Sequence, residues 1–301
     1  MRMDKIFDVI IIGGGPAGVS AALYAARGGM SVCVVHNKKS ALHSAKRIEN
    51  YYGTGAVEGA ALYDAGLAQA ESVGAVVISD EVTFAEFDGK RFVVTAVGGK
   101  YSAARLVVAT GASHTRSKIE GLDKLEGKGV GYCAVCDGFF YRKKAVGVLG
   151  AGDYAEHEYN VLCGFAGKTY LLTDGAVPSF SAADTIDKKI SRARVGENGR
   201  FCGVEFADGT TLELDGLFVA LGVLGSSAIA KSMGVFTDER GAIKVDGNGM
   251  TNVAGLYAAG DCTSGIKQIG RAVADGMTVG TALAKEFAAE KRAADENKNN
   301  G

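Results

Sequence analysis

The stretch FDVIIIGGGPAGVSAALYAA, residues 7–26, decides how the rest of the chain is read. Residues 8–12 form an apolar run suited to a strand buried on both faces. Gly13, Gly15 and Gly18 match the spacing G-x-G-x-x-G, with Pro16 and Ala17 inside the turn. A helical stretch continues to about Arg27, and SVCVV at 31–35 reads as a second, parallel strand. In such a βαβ unit the first glycine permits a tight turn, the second lets a pyrophosphate approach the backbone, and the third allows helix and strand to pack closely. The helix N-terminus offers unpaired N–H groups and a positive dipole end to phosphate. One element departs from the pattern: where an acidic ribose ligand is expected, the chain has His36 and Asn37.

The same grammar recurs downstream. RFVVTAV at 91–97, a Gly98-Gly99 turn and YSAARLVVATG at 101–111 read as a hairpin leading into a buried strand. AVGVLGAGDYAEHEYNVLCGFAGKTYLLTDG at 145–175 repeats the strand–glycine–helix–strand opening, with Gly150, Gly152 and Ala155 at the fingerprint positions. GVEFADGTTLELDGLFVALG at 203–222 repeats the hairpin, with its turn at Asp208-Gly209. GLYAAGDC at 255–262 then supplies a strand that completes the first sheet and puts Gly260 and Asp261 at its C-terminal edge, where ligands bind in such folds. The expected fold is therefore α/β, with two Rossmann-like three-layer domains and the second inserted into the first. The first domain is expected to comprise residues 1–115 and 246–301, and the second 116–245. EKRAADENKNNG at 290–301 reads as a fraying helix end and, from about 291, a disordered tail.

Composition bounds the function. The chain has 301 residues, a net charge of −1 and a hydrophobic fraction of 47%, enough for buried cores and without a global field for nucleic acid or membrane. No apolar run reaches the roughly 18 residues of a membrane span, and a cytoplasmic location is the default expectation. Of the six cysteines, only Cys133 and Cys136 in GYCAVCDG have a functional spacing. A CxxC could be half a zinc site, a redox couple or two inert core residues. No second CxxC or Cys/His pair accompanies it, so no metal site is expected. His36, His43, His114 and His157 read as surface or structural histidines.

IIGGGPAG, VVATGAS, GYCAVCDGFFYRKK, GAGDYA and GLYAAGDC, in this order, resemble the low-molecular-weight thioredoxin reductases over nearly the whole chain. The resemblance implies FAD in the first domain, a nucleotide-fold second domain carrying a redox disulfide, a homodimer, and thioredoxin or a thioredoxin-like protein as partner. It further implies that Cys136 faces the flavin as the charge-transfer thiolate, that Cys133 exchanges with the substrate disulfide, and that Asp137 relays a proton. A helix cap is the plainer role for Asp137. For the flavin the resemblance implies Asn50 near the ring system, Thr110 and Gly111 at the strand end beneath it, and Asp261 on the ribityl chain. Val82 is implied as a backbone contact to adenine.

The chain leaves the family pattern around the electron donor. NADPH-dependent members carry a His-Arg-Arg run after the second strand of the second domain; here Thr173, Asp174 and Gly175 stand there. An aspartate would repel a 2′-phosphate and could pair with a free ribose diol, which favours NADH over NADPH. The span from Thr173 to Leu217 is short, and SFSAADTIDKKISRARVGENGRF at 179–201 has no convincing strand–helix–strand reading. The Arg-Gln-Ala run expected after the Gly-Asp motif is replaced by IKQIGRAVADG. These departures resemble a branch in which ferredoxin reduces the flavin. The expectation is thus an FAD-dependent thioredoxin reductase with a donor other than NADPH, ferredoxin being favoured. An NADH-dependent reductase for another carrier and an FAD-bound redox sensor are the alternatives.

Overall fold

The computed structural model describes residues 6–38, 40–111, 119–132, 134–221, 226–239 and 241–299. The chain divides into two compact units, Met1–Ser113 with Gly225–Gly301, and His114–Leu224.

The first unit opens with β1 (Ile6–Ile12), α1 (Pro16–Arg27), β2 (Val32–His36), α2 (Gly59–Ser72) and β3 (Val76–Ser79). A meander follows: β4 (Val82–Phe87), β5 (Phe92–Ala96) and β6 (Gly99–Val108). β1, β2 and β3 are parallel neighbours, and β6 runs parallel to β1 from Ile6↔Ser102 to Ile12↔Val108. Val9 to Ile12 are buried on both faces of the sheet, which is why this strand is apolar throughout rather than alternating.

The second unit contains β7 (Val130–Gly131), α3 (Ala134–Asp137), β8 (Ala145–Leu149), α4 (Asp153–Cys163), β9 (Lys168–Leu172) and β10 (Thr185–Ile186). It continues with β11 (Ile190–Val195), β12 (Phe201–Phe206), β13 (Thr211–Glu213) and β14 (Gly216–Val219). Its parallel sheet has the order β10-β9-β8-β14-β7, and β11-β12-β13 form a separate antiparallel sheet. Leu149, Leu172, Val204, Leu214 and Leu217 are the centre of one core shared by the two sheets. A parallel connection usually carries a helix. Between β9 and β10 there is none: residues 173–184 cross as irregular chain.

The chain then returns to the first unit with α5 (Ser226–Ser232), β15 (Leu256–Ala258) and α6 (Ile269–Asn299). β15 pairs parallel with the second half of β6, whose first half pairs antiparallel with β5. Two Rossmann-like sheets, the second interrupting the first in sequence, are the architecture expected. The return comes earlier than residue 246. Ile229 and Ala230 of α5 are buried, Ser232 donates to the carbonyl of Ala85, and Ile243 N–H donates to Cys262, so the segment before 246 packs with the first unit. The other expected boundary, at 115, falls in residues 112–118, outside the described residues.

α1 and α6 pack at very short range. A side chain at Gly276 would place its Cβ 2.1 Å from the carbonyl oxygen of Ala17, so only glycine fits there. The tail expected to be disordered from about 291 is instead the end of α6, which runs to Asn299 with exposed side chains at 291–297. Its Ala, Glu and Lys residues have high intrinsic helix propensity. Among the described residues no helix is long and apolar enough to cross a membrane.

Candidate functional site

Three strands of the first sheet end level. Ile12 and Ala258 both pair with Val108, Ala109 N–H donates to Ile12, and Ala259 N–H donates to Val108. The residues that follow therefore share one edge: the turn Gly13–Gly18 after β1, Thr110 and Gly111 after β6, and Gly260 and Asp261 after β15. Gly13 has φ +119°, and a Cβ on it would lie 2.2 Å from the Ala109 carbonyl oxygen; one on Gly18 would lie 1.9 Å from that of Gly13. These two glycines are demanded by packing. Gly15 is different, because a Cβ there would meet nothing within 4 Å. It caps α1 without a side-chain bond, Pro16 opens the helix, and no acid lies in the first turn. The arrangement is an open backbone cradle at a positive helix end, suited to a pyrophosphate. Ala17 is buried beneath Gly260.

Two polar groups face this edge. Thr110 Oγ1 is buried without a hydrogen-bond partner. Asp261 is half-buried; burial pushes its carboxyl up, Lys267 pulls it down and Asp275 adds to the rise. Lys267 donates to the carbonyls of Asp261 and, at 2.7 Å, Thr263. Its neighbour Gln268 accepts from Asn50 Nδ2 at 3.1 Å. IKQIG thus ties Asn50 and Asp261 to one segment, a role the sequence reading did not credit to it.

At the end of β2, His36 is buried, and its Nδ1 lies 2.9 Å from the hydroxyl of Tyr63. Burial and then Lys38 lower the imidazole pKa, while burial lifts the Tyr63 phenol to about 12. A neutral His–Tyr pair thus occupies the position of the expected ribose carboxylate. β3 leaves the sheet beside it, Asp80 N–H donating to His36, and Val82 opens β4 two residues later with its side chain in the core.

In the second unit, Cys133 lies outside the described residues and Cys136 falls within α3. Asp137 ends α3 and stands as N-cap of the 3-10 turn Gly138–Tyr141, with no side-chain bond to that turn. α4 holds the CxxC segment from behind. Tyr154 donates its hydroxyl to the carbonyl of Tyr132, and buried Glu158 accepts the N–H of Ala134 at 2.5 Å through Oε2. Burial, with Asp137 adding, pushes the Glu158 carboxyl up to about 8. Sequence reasoning missed Glu158, because a glutamate in a polar helix reads as solvent-facing.

The second glycine turn differs from the first. α4 begins with acids in its first turn, Asp153 and Glu156. Ser179, from the helix-free crossing, donates its N–H to the Ala151 carbonyl at 2.8 Å, and its hydroxyl lies 3.4 Å from Asp153 Oδ1. Phe180 packs on Tyr159 of α4. Thr173 donates to Asp187 at 2.9 Å. Asp174 sits at φ +50°, accepts the N–H of Ile190 at 2.7 Å, and pairs with Lys189 at 3.5 Å. Its carboxylate thus bonds its own chain. Among the described residues no group of three or more His, Cys, Asp or Glu could hold a metal ion.

The model of the pyridine nucleotide-disulphide oxidoreductase family matches residues 7–179 and 180–276. The thioredoxin reductase of Listeria innocua serovar 6a is 33% identical, covering 92% of each chain. Among solved structures, the atypical thioredoxin reductase TRi from Desulfovibrio vulgaris Hildenborough superposes with a TM-score of 0.84 at 34% identity, over 92% of this chain and 98% of that one. A ferredoxin-flavin thioredoxin reductase from Clostridium acetobutylicum gives 0.74 at 29% identity, over 94% and 99%.

Proposed function

We propose that this chain, which belongs to the pyridine nucleotide-disulphide oxidoreductase family and is a thioredoxin reductase-like oxidoreductase, reduces thioredoxin or a thioredoxin-like protein through Cys133–Cys136, with FAD in its first unit and an electron donor other than NADPH. On this reading it works in the cytoplasm as a homodimer, with ferredoxin the favoured donor.

The first unit fits FAD. The open side of Gly15 and the N-terminus of α1 would take the pyrophosphate, Asp261 a ribityl hydroxyl, and Thr110 and Gly111 the strand end beneath the ring system, with Asn50 alongside. Bound there, FAD would pass two electrons from the donor to the disulfide. Asp137 would exchange a proton with the departing thiolate.

The observation that carries the donor reading is the hydrogen bond from Ser179 to Ala151, with Asp153 at the first turn of the same helix. A nicotinamide dinucleotide would set its pyrophosphate at that turn, against a carboxylate. Two unit charges about 4 Å apart repel by about 4 kcal/mol at an effective dielectric of 20. No arginine takes the position where Asp174 is tied to Ile190, so a 2′-phosphate lacks its bidentate partner. A ferredoxin at about −400 mV could drive a thioredoxin-like couple at about −270 mV with roughly 6 kcal/mol to spare for two electrons. Likeness to a ferredoxin-flavin thioredoxin reductase supports the same donor.

Anaerobic mixing with NADPH, NADH and reduced ferredoxin in turn, followed at the flavin absorbance, tests this. Bleaching by ferredoxin alone is expected. Fast bleaching by NADH would support the NADH-dependent alternative, and fast, saturable bleaching by NADPH would refute the donor reading.

A further inference from the structure

Glu158 reaches the redox turn from outside it. Its side chain is 2% exposed, and its Oε2 accepts the N–H of Ala134, a residue between Cys133 and Cys136 in sequence. A buried carboxyl is costly unless it is bonded or neutral. Burial is the largest influence on its pKa and raises it, the N–H of Ala134 lowers it, and Asp137 at the end of the same turn adds to the rise, leaving it at about 8. On its own helix, Tyr154 is a phenol that donates to Tyr132, and His157 is held toward the neutral form by burial. The remaining titratable groups of the turn are the two cysteines.

Reduction of a disulfide adds two electrons, breaks the S–S bond, and after uptake of one proton leaves one thiol and one thiolate, the reductant losing the same two electrons. Thiolates are stabilised by N–H groups at a helix start and by nearby positive charge. A carboxylate held on Ala134 N–H does the opposite, whereas a neutral carboxyl on the same N–H leaves the thiolate unopposed.

We propose that Glu158 is a positioning residue for disulfide reduction: neutral, it holds the CxxC turn through Ala134 and lets the thiolate form, and ionised, it opposes that thiolate. The inference rests on the reading of Cys133 and Cys136 as a redox pair.

The test is the rate of iodoacetamide alkylation at each cysteine of the dithiothreitol-reduced holoenzyme, mapped by mass spectrometry from about pH 6 to about pH 10. Wild type should show an inflection near pH 8 besides that of the thiol itself. Glu158→Gln keeps an acceptor for Ala134 but cannot ionise; it should lose that inflection and react about five-fold faster at about pH 9. A wild-type profile without the second inflection overturns the inference whether or not the variant folds. Superimposable profiles of the two proteins overturn it as well. In the same experiment, the oxidised protein should resist alkylation at both positions and gain two thiols on reduction. If it does not, the redox-pair reading fails and the inference falls with it; if it does, only the Glu158 inference is at stake.

Discussion

Ser179 donates its backbone N–H to the carbonyl of Ala151 at 2.8 Å, so the crossing from β9 to β10 is tied to the glycine turn that precedes α4. Asp174 anchors the start of that crossing on Ile190 N–H. Equilibrium dialysis should show NADPH binding no tighter than about 1 mM, a free energy of roughly −4 kcal/mol. Asp174→Ala should lower the stability of the second unit by about 1–3 kcal/mol, because it leaves the N–H of Ile190 without its acceptor. It should not change nucleotide affinity. A variant of wild-type stability that loses NADH affinity would make Asp174 a ribose ligand after all.

The first glycine turn separates packing from binding. Gly15→Val places its side chain in open space, so the fold should persist while FAD occupancy of the purified protein falls at least ten-fold. Gly18→Ala sets a methyl 1.9 Å from the Gly13 carbonyl oxygen and should instead destabilise the whole unit. Full flavin occupancy in Gly15→Val, read from the absorbance ratio of flavin to protein, would contradict the assignment of this cradle.

Much of this fold was legible because its determinants are local. A Cβ on Gly18 would strike the carbonyl oxygen of Gly13, five residues earlier, so this turn leaves a short motif. The hairpins at Gly98-Gly99 and Asp208-Gly209 announce themselves through turn chemistry. What stayed hidden depends on contacts distant in sequence or made by backbone. Ser179 holds Ala151 through its N–H, which any residue except proline carries. Glu158 is held by the N–H of Ala134 in α3, a partner 24 residues away in sequence. The early return to the first unit at α5 rests on packing against β4, and a seven-residue helix has too little periodicity to reveal its partner. The extent of α6 was underestimated because a polar end without a buried face reads as tail, although its propensity is helical.

Acid should weaken the first unit through His36. Its pKa is lowered in the folded protein, chiefly by burial, so the unfolded chain binds more protons in the window just below 6.5. Stability is therefore full above that pH and declines as pH falls toward the folded value. His36→Gln should flatten this part of the denaturation midpoint plotted against pH. Parallel curves for the two proteins would show that another group carries the effect.

The remaining cysteines should be bystanders. Cys33 and Cys262 are buried, and burial lifts the Cys262 thiol to about 12, so neither should alkylate in the native enzyme. Cys163 is exposed and should alkylate readily. Cys163→Ser should nevertheless leave turnover within about two-fold of wild type. A large loss of activity would place this thiol in the electron path.

The central claim is that electrons leave through Cys133 and Cys136. The most direct measurement is a single turnover: photoreduced enzyme mixed anaerobically with an equivalent of oxidised thioredoxin, the thioredoxin thiols counted afterwards. Wild type should deliver two thiols per thioredoxin, and Cys133→Ser and Cys136→Ser should each deliver essentially none. Normal thioredoxin reduction by either single variant would contradict the account.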